Sequence, residues 1–204
     1  LGEGLFFYLV PLYMESLGAN GGLIGSAMAL MSLAQAVVML PAGLAADRWG
    51  PRRVMIGGWM MGLLTTTAMA AATSFQLFAV GLVAYGFSGW IVPALTSYVT
   101  RSRGSLTPER ALTLVFAGFS AGSIISPALG GLLAERFGMR ATFIVAVVVF
   151  AASTLVIYSS RHHPPAGNGS RLGIKRLASD RRYLQFLAMV VVVTFALLLG
   201  FPLA

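Results

Sequence analysis

Of the 204 residues, 57% are apolar and 10% are charged, against about a quarter charged in an ordinary soluble domain. Such a chain cannot hide its apolar surface in a soluble core. The formal net charge is +8, but the basic residues sit in short segments between apolar runs, so they read as topology signals and not as a nucleic-acid-binding stripe. There is no cysteine, which excludes thiolate metal sites and disulfides.

Five stretches carry no charge: 16–46, 54–100, 111–134, 141–160 and 183–204. A helix needs roughly 20 residues to cross the hydrocarbon core. The runs lack the period-two alternation of a barrel strand, so each is expected to be helical, the form that satisfies its own backbone in lipid. In chain order the predicted spans are 1–18, 22–45, 54–72, 76–100, 111–134 and 141–160. A Gly-Ala-Asn-Gly-Gly turn at 18–22 separates the first two. The 47-residue run 54–100 is too long for one helix and is expected to break at Ala72-Thr73-Ser74-Phe75. Thr107-Pro108-Glu109 is a helix-start signal for the fifth span. Residues 161–182 turn to Pro, Gly, Asn, Ser and six basic residues, the composition of a flexible linker. A seventh span is expected to begin near Tyr183. Beginning at Leu1 and closing inside an apolar run at Ala204, the chain reads as a fragment with no signal peptide.

The connectors on one side, 47–53, 101–110 and 161–182, hold 12 Lys and Arg, while those on the other hold 2. The positive-inside rule makes the richer side cytoplasmic, together with the amino terminus.

Residues 43–52 recur 88 residues later: Gly43-Leu44-Ala45-Ala46-Asp47-Arg48-Trp49-Gly50-Pro51-Arg52 against Gly131-Leu132-Leu133-Ala134-Glu135-Arg136-Phe137-Gly138-Met139-Arg140. Six of the ten positions are identical and two more are conservative. An odd number of spans, three, separates the copies, so they lie on opposite faces of the membrane. Two three-helix units of inverted topology are a mark of secondary transporters.

With Arg53 added, residues 43–53 resemble the signature between helices two and three of the major facilitator superfamily, G-x-L-a-D-r-x-G-r-k/r-x. The resemblance implies an all-α polytopic membrane protein: the six-helix amino-terminal half of that fold, a linker and the start of helix seven. It also implies a conformational latch between two halves, with Gly43, Asp47, Arg48, Gly50, Arg52 and Arg53 in the motif. Family members often place an acidic partner for the motif's arginine at the end of helix four. Here that end reads Thr100-Arg101-Ser102-Arg103, and Glu109 is the nearest acid. In the fifth span, Gly118, Gly122, Ser126 and Gly130 recur every four residues and form a small-residue ridge suited to close helix contact. Within it Gly122, Ser126, Pro127, Gly130 and Gly131 are similar to the family's antiporter signature G-x-x-x-G-P-x-x-G-G, with Ser126 in place of a glycine. That stretch implies export. Aligning Gly86 with the family's R-x-x-q-G pattern puts Leu82 where proton-coupled exporters carry arginine.

Ionisable groups within a span are costly enough to be functional candidates. Glu3 is the one acid expected deep in a span, and it can bind protons or pair with a cationic substrate. Gln35 and Tyr85 join it as candidate substrate or proton contacts, with Trp90 as packing and Glu15 and Asn20 at the rim. No nucleotide-binding loop, metal-ligand cluster or activated nucleophile is visible, so neither a cofactor nor an enzyme is expected. The expected function is gradient-driven transport of a small organic solute by alternating access, by proton-coupled efflux in its specific form. The expected partners are that solute, protons, the bilayer and the other half of the chain. The alternatives are an importer or facilitator of the same fold, a membrane sensor without turnover, which Leu82 motivates, and a channel, for which ring-forming charges are absent.

Overall fold

The computed structural model describes residues 2–159, with Gln185 and Met189 beyond them. The chain divides into two units, Leu1–Pro165 and Ala166–Ala204. The expected linker 161–182 lies outside the described residues, as does the seventh span apart from helical Gln185 and Met189.

All described elements are helical. In chain order they are α1 (Gly2–Phe6), a 3-10 turn (Phe7–Leu9), α2 (Val10–Ser16), α3 (Gly21–Trp49), α4 (Pro51–Ala71), α5 (Phe75–Gly86), a 3-10 turn (Phe87–Trp90), α6 (Ile91–Ser102), α7 (Pro108–Phe137) and α8 (Met139–Tyr158). Among the described residues, five segments are long and apolar enough to cross a bilayer: α3, α4, Phe75–Ser102, α7 and α8. The chain is an integral membrane protein.

The first predicted span is interrupted. Pro11 has no N–H to offer the Phe7 carbonyl, and the Val10 N–H takes that carbonyl instead, tightening Phe7–Leu9 into the 3-10 turn. The break expected at Ala72 to Phe75 falls where α4 gives way to α5.

Two expected connectors, 47–53 and 135–140, shrink to one residue each. Helices α3 and α7 run for 29 and 30 residues, about 45 Å at 1.5 Å per residue, against a hydrocarbon core of about 30 Å. Their charged ends therefore continue as helix into the headgroup zone. What stops them is conformation: Gly50 at φ 90° and Gly138 at φ 83° occupy a region closed to most side chains, and α4 and α8 begin at the next residue.

Polar residues in the turns cap the helices they introduce. Asn20 accepts a hydrogen bond from the Leu23 N–H at 2.9 Å, Ser74 from Leu77 at 3.5 Å and Thr107 from Arg110 at 3.4 Å. Asn20→Ala is expected to cost about 1 kcal/mol, read from thermal unfolding.

The core is built where the first, fourth and sixth spans meet α4. Phe6, Tyr13, Met14, Met69, Phe78, Leu82 and Phe143 are buried together. Rings pack Phe6 to Phe143 at 5.2 Å, Tyr13 to Phe78 at 5.1 Å and Phe78 to Phe143 at 5.4 Å. Leu82, at the position of the family's arginine, is fully buried in this cluster. By contrast α7 buries only Ala111, Ser126 and Gly130 among the described residues. Its small-residue ridge is used at one end: a Cβ on Gly4 would overlap the Ser126 hydroxyl, and one on Gly130 would overlap the Leu5 carbonyl oxygen, whereas Gly118 meets nothing within 4 Å. Here α1 and α7 cross at backbone distance.

Candidate functional site

Glu3 on α1, Gln35 on α3 and Tyr85 on α5 line one cavity of about 480 Å³. Glycines bring its walls together. Gly86 lies against the Met31 carbonyl and Gly89 against the Gln35 side chain, positions where a Cβ would collide. The fourth span thereby approaches α3 closely enough to present Tyr85 beside Glu3.

Tyr85 is buried and held edge-on by Phe6 at 5.6 Å and by Phe150 at 6.2 Å. The Tyr85 hydroxyl, the Glu3 carboxylate and the Ser88 hydroxyl are neighbours in the cavity wall. Ser88 is buried and Glu3 half-buried. Phe7, Trp59, Phe116, Phe119 and Phe150 supply much of the remaining wall, and no Lys or Arg is among the described lining residues. Chemically this is a desolvated acceptor of protons or cations set in aromatic surface, where ring faces also favour a cation.

Ser88 and the α7 phenylalanines had no place among the sequence candidates. Ser88 carried a usable signal, three residues after Tyr85 on the same helix face. Trp90 lies outside this cavity; it rests on Gly57 and Gly58 of α4 and lines a separate apolar hollow between α3 and α4, with Arg53 at its edge.

In the 43–53 motif, Asp47 pairs with Arg101 at the end of α6, at 3.8 Å. The expected polarity is thus reversed, with the acid in the motif and the base at the end of the fourth span. Glu109 is exposed in the first turn of α7. Arg52, also of the motif, donates to the Tyr158 carbonyl at 2.5 Å and lies over the Tyr158 ring at 5.7 Å. Gly43 faces Pro93 of α6, Gly50 makes the break, and Arg48 and Arg53 are exposed. The Asp47–Arg101 side chains remain 35% and 24% accessible, so the coupling between them in a double-mutant cycle of Asp47→Ala and Arg101→Ala, read from thermal unfolding, is expected to be no more than about 1 kcal/mol.

In the antiporter-like stretch the Ser126 hydroxyl donates to the Gly122 carbonyl at 2.6 Å, one residue before Pro127, which stays inside the helix. Ser126 and Gly130 pack against α1, and Gly131 meets nothing within 4 Å among the described residues.

The family profile described as Major Facilitator Superfamily matches residues 1–204. The chain belongs to the major facilitator superfamily. This member is 30% identical over 193 residues to a protein of Lactococcus lactis subsp. lactis (strain IL1403) described as a multi-drug resistance efflux pump PmrA homolog, covering 91% of the chain and 47% of that relative. It is 27% identical over 206 residues to multidrug resistance protein 2 of Bacillus subtilis (strain 168), covering 96% and 51%. It is 23% identical over 171 residues to the quinolone resistance protein NorA of Staphylococcus aureus (strain MRSA252), covering 82% and 44%. The chain spans about half the length of these curated relatives.

Proposed function

We propose that the full-length protein is a secondary transporter that exports small organic solutes, cationic amphiphiles in particular, in exchange for protons. The observation that carries this reading is the cluster of Glu3, Tyr85 and Ser88 at the wall of an aromatic cavity with no basic lining residue described. A carboxylate taken out of water is stabilised by a proton or by a cationic solute, but not by both at once. Competition for one site is the minimum requirement of an antiporter. Gln35 and the aromatic walls hold the apolar body of the solute.

The efflux and resistance roles named for the relatives and the antiporter-like stretch Gly122, Ser126, Pro127, Gly130 and Gly131 support the outward direction. The remaining half of the chain completes the cavity, and the two halves rock about it. Gly43, Asp47, Arg48, Gly50 and Arg53 latch them, with the Asp47–Arg101 pair setting the carboxylate. The uneven distribution of Lys and Arg supports an orientation with the amino terminus and the 161–182 linker in the cytoplasm.

The test is flux of a panel of cationic, neutral and anionic solutes by the full-length protein in proteoliposomes under an imposed pH gradient. Saturable, gradient-driven movement of the cations is expected. Saturable flux indifferent to the gradient would replace exchange by facilitated diffusion, and ligand binding without flux would replace transport by sensing.

A further inference from the structure

We propose that Arg140 is a positioning residue that clamps the end of α4, on the membrane face opposite the 43–53 motif, and that Arg52 clamps the end of α8 in the same way. Arg140 is the second residue of α8, and its Nε donates to the Ala70 carbonyl at 2.8 Å, in the last turn of α4. Arg52 is the second residue of α4 and donates to the carbonyl of Tyr158, the last residue of α8. The two helices are antiparallel neighbours, so the contacts tie opposite ends of one seam.

The internal repeat makes these contacts equivalents. Arg140 follows Arg52 by 88 residues, and Tyr158 follows Ala70 by the same interval. The seam between them obeys the same offset. The buried residues of α8, Thr142, Phe143, Ala146 and Thr154, correspond to Val54, Met55, Gly58 and Thr66, all buried in α4. A pseudo-two-fold axis therefore relates the helices, donors and acceptors alike.

The device depends on the glycine before each helix. The Gly50 N–H closes α3 on the Ala46 carbonyl at 3.0 Å, and the Gly138 N–H closes α7 on the Ala134 carbonyl at 2.9 Å. Both glycines then take a positive φ that starts the next helix at once. The second residue of that helix is thus held at a set height, beside the terminal turn of its antiparallel neighbour. The last four carbonyls of a helix lack partners within it and form the negative end of its dipole. An arginine there supplies both a donor and a positive charge. Arg52 is further seated on the Tyr158 ring, whereas Arg140 acts through Ala70 by hydrogen bonding.

The consequence is crosswise: removing the arginine at the start of one helix loosens the end of the other. Hydrogen exchange measured on the full-length protein in lipid nanodiscs tests it. In Arg140→Leu, amide exchange over 66–71 is expected to rise about tenfold, with 154–159 unchanged. Arg52→Leu is expected to do the reverse, and Arg140→Lys, which keeps a charged donor, to restore most of the protection. If a leucine variant does not fold, the methionine variant, which also lacks donor and charge, is read in the same way. Exchange that rises uniformly, exchange at 66–71 that stays at wild-type values, or a lysine variant no better protected than leucine would overturn the proposal.

Discussion

Glu3→Gln in the full-length protein is expected to lower proton-driven flux of a cationic amphiphile by about a hundredfold, while thermal unfolding shifts by no more than a few degrees. Glutamine has nearly the shape of glutamate, so local packing beside Tyr85 survives. What disappears is the only carboxylate in the described cavity lining, and with it the competition between proton and cation. Losing one partner of a desolvated charge pair costs about 3 kcal/mol, and each 1.4 kcal/mol is a factor of ten. Tyr85→Phe removes the polar group beside that carboxylate and is expected to cost about tenfold in the same proteoliposome assay. Undiminished gradient-driven flux in Glu3→Gln would move the coupling site out of this cavity.

The largest effect on stability is expected at Gly130. A Cβ there would overlap the Leu5 carbonyl oxygen, and a backbone atom cannot step aside as a side-chain tip can. Gly130→Val is expected to cost about 3 kcal/mol or more and to separate α1 from α7. Glu3 lies on the same short helix, so cavity binding is expected to fall with it. Gly21→Ala is the control: at the first residue of α3, its Cβ meets nothing within 4 Å among the described residues, and it is expected to stay within about 0.5 kcal/mol of wild type. Thermal unfolding of purified protein decides both. A Gly130→Val protein as stable as wild type would show that α1 and α7 are further apart than their glycines indicate.

The helices are legible because their signals are local. Charge-free runs, Pro108 in an opening turn and Ala72-Thr73-Ser74-Phe75 between two runs each act on their own stretch of chain. The charges at 47–53 and 135–140 suggest connectors there, and so place the helix ends too early. In a bilayer protein, charge marks the end of the hydrocarbon, whereas the end of the helix is set by backbone conformation, here Gly50 and Gly138. The Asp47–Arg101 pair has no such local signal. Its members are far apart in sequence, and the resemblance to the superfamily points toward an acid where Arg101 stands.

Glu3, Gln35 and Tyr85 stand out individually as polar groups in apolar spans, because burying such groups in lipid is costly. That they share a cavity depends on how closely the fourth span approaches α3, which Gly86 and Gly89 permit but do not announce. Sequence alone determined the membrane class, the all-helical class and the inverted repeat, because hydrophobic length and repeated motifs are properties of the chain taken in order. Tertiary structure decided which groups meet: Tyr85 with Glu3, Asp47 with Arg101, and each repeat arginine with the far end of its neighbour. Contacts between distant residues depend on helix crossing and rotation, and those are set by packing across the whole bundle.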